Sequence, residues 1–319
     1  MNISLILIVT LFLLSCSPVL KTDPSSIDTK TKDSTAQEDI TPSPAKGSLC
    51  EEGARQKLWR IDGDSSTVYM FGSIHFGIPA FYPFSDEINQ AFEKSQYLVV
   101  EINSQKEGIG SEMAELMKAG YLSEGETLEQ KLSPEVYNQL EETLSAMGVP
   151  IAPFLHFRPW MMAVTLSVLQ IQSLGYSPEM GVESYFFRKS DDKEILELES
   201  AEYQMKLLSM LDGEDFLSYT ILSGESAKQQ MQALSTAWAC GDSVSLASIV
   251  LKDYSEHIPG YEQIYEEMFK KRNHAMARRI SELAQNKGVY FVVVGAGHFL
   301  GEDSIISILA ENGWVVKSL

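Results

Sequence analysis

Val289-Tyr290-Phe291-Val292-Val293-Val294-Gly295-Ala296-Gly297-His298 decides how this chain folds. Six apolar residues, four of them valine, form a run whose length and β-branching fit a strand buried on both faces. Gly295 ends the run, and the histidine follows three residues later. The same device stands near the other end of the chain, where Val68-Tyr69-Met70-Phe71 leads into Gly72-Ser73-Ile74-His75. A glycine ending a strand permits a sharp turn through positive φ. Each histidine is then held at a strand's carboxyl end, where open α/β sheets place their sites. The repetition predicts one sheet, and one site, assembled from both ends of the chain.

The intervening sequence supplies helices. Leu58–Ile61 and Thr67–Phe71 flank Asp62-Gly63-Asp64, a hairpin signal. Ser85 caps a short helix with Asp86 and Glu87 in its first turn. Tyr97–Val100 reads as a strand ending at Glu101, and Glu194–Leu198 as another ending at Glu199. Ser133-Pro134-Glu135 starts a helix whose apolar stripe is Val136, Leu140, Leu144 and Met147. Trp160 to Leu174 is an apolar helix, too short and too interrupted by Gln170 and Gln172 for a membrane span. Helical patterns fill most of 201–286, Glu302 to Asn312 is a further helix, and Trp314-Val315-Val316 is a last strand. The expected fold class is α/β (α+β), a central mixed sheet built from N- and C-terminal segments with a large helical middle over about 105–285. That sheet and its helices form a domain over 49–319. No repeat of 20–50 residues is present, which excludes solenoids and propellers.

With 319 residues, 44% hydrophobic and 22% charged, the chain can bury a substantial core. Its formal net charge of −19 excludes a basic field for nucleic acid and disfavours docking on anionic lipid. Ile3 to Leu14 is an apolar core of signal-peptide length, ending in Leu13-Leu14-Ser15-Cys16. This resembles a bacterial lipobox, without a Lys or Arg before the apolar core; it implies cleavage after residue 15 and lipid on Cys16. Ser17 rather than Asp follows, which points to an outer membrane facing the periplasm in a host with two membranes. Residues 16–48 are rich in Ser, Thr, Pro, Lys and Asp and read as a flexible stalk. The expected location is therefore the cell envelope, with membrane contact through the N-terminal lipid only. Cys50 and Cys240 remain, and in an exported protein they are either a disulfide or two separate thiols.

Four polar residues share the strand-end context: His75, Glu101, Glu199 and His298. Parallel, adjacent strands would bring them to one sheet edge. Two imidazoles with one or two carboxylates suit a divalent transition metal, which would polarise a carbonyl and acidify a water. A second carboxylate would serve as general base. Gly295-Ala296-Gly297 approaches a dinucleotide fingerprint, but Leu300 holds the position of the third glycine and Gly301 falls one place late. Nucleotide binding is excluded on that register. His-Glu-x-x-His, Gly-x-Ser-x-Gly and Walker motifs do not occur.

Gly72-Ser-Ile-His75-Phe-Gly77, Leu98-Val-Val-Glu101 and Val293-Val-Gly295-Ala-Gly-His298-Phe-Leu-Gly301 resemble the TraB/PrgY/GumN family, which includes the animal Tiki metalloproteases. Arg158-Pro159-Trp160, Gly175 to Glu183, Leu198-Glu199-Ser200, Trp238 to Asp242 and Arg272 to Met276 extend the resemblance in order from Leu58 to the last residue. It implies a metal-dependent hydrolase, peptidase-like, acting on a peptide or other small carbonyl substrate with Mn, Co or Zn. His75, His298 and Glu101 would be ligands. Glu101, Glu199 and Arg272 would be catalytic, Arg272 steadying a carboxylate or an oxyanion. Gly72, Glu183, Asn273 and Gly295 would support them, with Glu183 a further ligand or base. His156, His257 and His274 lack strand-end placement and read as structural. The competing expectation is an envelope protein that sequesters a peptide or ligand, or regulates, without turnover.

Overall fold

The computed structural model describes Cys50, residues 56–252 and residues 258–319. The leader, Cys16, the stalk and His257 lie outside the described residues. Six strands form one mixed sheet in the order β4-β3-β5-β2-β1-β6. They are β1 (Leu58–Asp62), β2 (Ser66–Ser73), β3 (Tyr97–Val100), β4 (Glu194–Glu197), β5 (Gly288–Gly295) and β6 (Lys317–Ser318). The β1–β2 pair is the expected hairpin, with Asp62 opposite Thr67.

The decisive pairing is parallel. β5 inserts between β3 and β2, with Val292 beside both Val99 and Met70. β4 then extends the parallel set from β3. Alternation along these strands sorts side chains to two faces. Phe71, Leu98, Val100, Phe291 and Val293 face the larger core, built with the helical middle. Val68, Met70, Val99, Val292 and Val294 face a smaller one, covered by the helices Lys271–Gln285 and Ile305–Glu311. The six-residue apolar run is thus explained by burial on both sides. Phe291 packs against Phe186 at 4.8 Å and Phe92 at 5.4 Å between ring centroids, which seats the middle of the chain on the sheet.

The apolar helix Pro159–Ser173 is core, with Trp160, Met162 and Leu166 buried. Among the described residues no helix is long and apolar enough to cross a membrane. Two boundaries differ from expectation. The helix after His298 starts at Ile305 rather than Glu302, because Ser304 supplies the cap for Ser307 N–H. The last strand is Lys317–Ser318 rather than Trp314-Val315-Val316. Trp314 is retained by the helix layer instead: its backbone N–H donates to Leu309 O and its indole to Ser281 Oγ. Cys50 and Cys240 are joined by a disulfide that ties the start of the domain to the end of the helix Ala227–Ala239.

A second backbone docking positions the site. Residues 177–182 run against 74–77: Gly77 and Ser177 exchange both backbone hydrogen bonds, and Val182 N–H donates to Ile74 O at 3.0 Å. The approach is close enough that only glycines fit. A Cβ on Gly77 would lie 1.8 Å from Met180 O, and one on Gly181 would lie 2.1 Å from His75 O. Gly181→Ala is therefore expected to lower the stability read from urea denaturation by roughly 1–3 kcal/mol. Gly110→Ala, on an exposed helix position with nothing within 4 Å, raises it by up to about 1 kcal/mol. Equal effects of the two substitutions would contradict this docking.

Candidate functional site

Four parallel strands deliver the predicted residues to one edge. Ser73 pairs with Gly295 across β2 and β5, so both Gly-x-x-His turns leave the sheet at the same level. Val100 pairs with Val293 and Glu197, placing Glu101 at that level too. The ladder continues one step further through Glu199 N–H to Glu101 O at 3.0 Å. The order along the edge is Glu199, Glu101, His298, His75. Glu199 and His75 are three strand spacings apart, roughly 14 Å of sheet. They occupy opposite ends of the row, and Glu199 does not pair with His75.

The motif glycines work differently from expectation. Neither Gly72 nor Gly295 takes positive φ. Gly72 lies inside β2, and a Cβ there would come 3.0 Å from the Cα of Ala296. It lets the two turns touch. Its carbonyl accepts the Trp238 indole N–H at 2.8 Å. Gly295 has φ −48° and donates its backbone N–H to Glu101 Oε1 at 2.7 Å.

Both histidines are buried, and each is gripped at Nδ1. His75 Nδ1 lies 2.9 Å from Glu183 Oε1, and the same oxygen accepts the Ser73 hydroxyl. His298 Nδ1 meets Asn273 Oδ1. Asn273 is oriented by its other end, because Nδ2 donates to the carbonyl of Asp303 at 2.7 Å. Asn273 assigns the His298 tautomer, because its amide oxygen only accepts, so Nδ1 carries the proton and Nε2 the lone pair; the Glu183 carboxylate beside His75 Nδ1 favours a proton on that nitrogen. Burial, with Arg272 and His75 pushing the same way, holds the His298 pKa well below the usual histidine value. Burial alone would raise Glu183, but the His75 charge and the bonds from His75 and Ser73 outweigh it and hold this carboxyl below its ordinary value.

Arg272 is not a surface cation. It is fully buried, on the sheet side of the helix Lys271–Gln285. Its Nε reaches Glu199 at 2.8 and 3.0 Å, and its Nη2 reaches Glu199 Oε2 at 2.6 Å and Glu101 Oε2 at 2.7 Å. Gln204 Nε2 donates to both carboxylates, at 2.9 Å to Glu101 and 3.0 Å to Glu199. Burial raises the Glu101 pKa and Glu199 pushes the same way, against the lowering by Arg272, His75 and the Gly295 N–H; the net direction is up. Burial and the Glu199 charge likewise raise the Tyr203 phenol.

The expected ligand set of His75, His298 and Glu101 is not assembled as a metal centre. Among the described residues no group of three or more His, Cys, Asp and Glu has the spacing to hold a metal ion. The physical reason is the clamp: one Glu101 oxygen receives Gly295, the other Arg272 and Gln204. Two imidazole lone pairs alone make an incomplete site. Ser73 and Gln204 are unmarked by the sequence pattern. The signals were Ser73's place inside the first turn and Gln204's place one turn into the helix capped by Ser200. His156 is exposed in this structure, its Nδ1 facing Glu126 O.

The sequence matches the TraB/PrgY/gumN family over residues 57–318. An uncharacterized protein of Treponema pallidum is 26% identical over 269 residues, covering 80% of this chain and 80% of that protein. The uncharacterized protein YbaP of Escherichia coli is 25% identical, over 76% of this chain and 87% of YbaP. The metalloprotease TIKI1 of Danio rerio is 24% identical over 82% of this chain, which spans 62% of TIKI1. No solved structure matches. With more than four-fifths of its length inside the match, the chain belongs to the TraB/PrgY/gumN family.

Proposed function

We propose that this chain is a hydrolase of peptides or other small carbonyl substrates, held at the cell envelope by lipid on Cys16. The observation that supports it is the paired imidazoles. His298 Nδ1 is engaged by Asn273 and His75 Nδ1 lies 2.9 Å from Glu183, so both rings are held at one sheet edge with Glu101, and their Nε2 atoms are the ones that would meet a substrate water. A water donating to these two nitrogens would turn its oxygen lone pair outward, toward a carbonyl carbon. His75 is the general base, because Glu183 steadies the imidazolium that proton removal creates. Glu183 stays ionised for that purpose. Glu101, whose pKa burial and Glu199 push up, is the carboxyl assigned to return a proton to the leaving group. Environments that drive two carboxyls apart assign acid and base. Arg272, with Gln204, fixes Glu101 in place.

Metal dependence is a second reading, favoured by the TIKI1 relative's description as a metalloprotease. Mn, Co and Zn are its candidates. Among the described residues no third ligand joins the two imidazole donors, so no step above runs through a metal.

His75→Ala is expected to lower kcat on a cleaved peptide by about 10²–10⁴-fold. Glu183→Gln lowers it less, with KM little changed in both. Undiminished turnover in His75→Ala would overturn the assignment. For metal, the purified chain is dialysed against chelator, assayed, and then measured for bound Mn, Co and Zn. Turnover that survives chelation is the expected result. Strict dependence on one bound equivalent, lost in the His75→Ala/His298→Ala pair, would replace it with the metal reading.

The His298 tautomer has a stability consequence. Its folded pKa is depressed, so below the unfolded value of about 6.5 the unfolded chain takes up a proton that the folded chain refuses. Stability from this group is intact above that pH and is lost as pH falls. Relative to His298→Gln, the wild type should lose about 1.4 kcal/mol per pH unit between pH 6 and 5. Parallel stability curves for the two proteins would show His298 to be protonated in the fold.

A further inference from the structure

The helix Ala201–Ser209 begins two residues after Glu199 and has two working faces. Gln204 points to the catalytic carboxylates. Its neighbours Tyr203 and Met205 instead line a cleft of about 500 Å³ shared with the end of the helix Ile109–Met117 and the turn that follows. That volume lies within the range of small-ligand sites, ~300–1,000 Å³. Leu116, Ala119, Met205 and the Tyr203 ring give it an apolar lining, while Ser200, Glu202 and Lys206 supply polar groups. Glu115, also on the lining, is already paired with Lys118 at 2.5 Å.

We infer that this cleft is a specificity subsite taking an apolar side chain, leucine- or phenylalanine-sized, of an extended peptide whose carbonyl about four residues along, at ~3.4 Å per residue, is attacked at the histidine edge. The inference rests on the hydrolase reading for its meaning, and on the cleft's own chemistry for its ligand. An apolar lining favours an apolar side chain, since burying a Leu or Phe contributes roughly 1.5–3 kcal/mol. Glu202 and Lys206 offer an acceptor and a donor for the peptide backbone on either side. Ser200 on the cleft lining directly follows Glu199, which places the cleft at the end of the row opposite His75. Discrimination by such a subsite falls on binding of the correct side chain and shows as a KM effect when it is blocked.

The test fills the cleft from an exposed position. Ala119 is exposed and on the cleft lining, so Ala119→Trp directs an indole into the space. Quenched fluorescent peptides, identical except for one residue fixed as Leu, Phe, Asp or Lys, are assayed with the full chain. The expected result is a preference for Leu and Phe in the wild type, and at least a tenfold rise in KM for those two in Ala119→Trp with kcat retained. A wild type indifferent to the varied residue, or an unchanged KM in Ala119→Trp, overturns the subsite. Calorimetric binding of the same peptides separates the two readings. If no peptide is cleaved but Leu and Phe peptides bind the wild type and His75→Ala equally, and fail on Ala119→Trp, the subsite stands and the hydrolase reading falls. If none binds, the subsite falls regardless of catalysis.

Discussion

A guanidinium with no solvent contact governs this edge of the sheet. Arg272 remains charged in the core, and an unpaired buried cation would cost several kcal/mol. Two carboxylates from different strands close on it, and Gln204 closes on both of them. The helix Lys271–Gln285, the ends of β3 and β4, and the helix Ala201–Ser209 are thereby fixed relative to one another. Asn273, the next residue on the same helix, reaches the other side and orients His298. One helix turn therefore sets both the carboxylate pair and one imidazole, and loss of the Arg272 partners would disturb all three elements together.

Much of this was legible in the chain because the strands are buried on both faces. Val289 to Val294 and Tyr97 to Val100 are apolar without interruption, and such runs in a mixed α/β pattern admit few arrangements. Strand-end polar residues then follow from topology, so His75, Glu101, Glu199 and His298 were found together. The strand order was not legible. Nothing local tells β5 to insert between β2 and β3, and that insertion separates Glu199 from His75. The glycine roles are hidden for a related reason: Gly72 is small to admit Ala296, a contact between turns more than two hundred residues apart in sequence. Trp314 similarly reads as strand from its valine neighbours, while a serine on another helix holds its indole.

The groups that hold the site residues in place were the least visible. A serine, a glutamine and a backbone carbonyl have many ordinary uses, and only the fold shows that Ser73, Gln204 and Asp303 O have specific ones. They do much of the electrostatic work. Without the Asp303 carbonyl, the Asn273 amide could turn over and offer His298 a donor, reversing the imidazole's tautomer. Ser73 completes the acceptor bonding of Glu183 Oε1, which helps keep that carboxylate ionised against the histidine.

The division of labour between the carboxylates follows from counting charge around Arg272. One guanidinium cannot neutralise two carboxylates. Glu199 takes three of the close contacts, through Nε and Nη2, and Glu101 takes one. Glu101 is thus buried with a shared and largely committed counter-charge, and its proton affinity rises. Glu183 is buried as deeply but faces a histidine and a hydroxyl with no rival anion, and its proton affinity falls. The same fold therefore holds one carboxyl of raised and one of lowered proton affinity on either side of the imidazole pair. That asymmetry has two sources, the unequal grip of Arg272 on its two carboxylates and the pairing of Glu183 with His75 and Ser73.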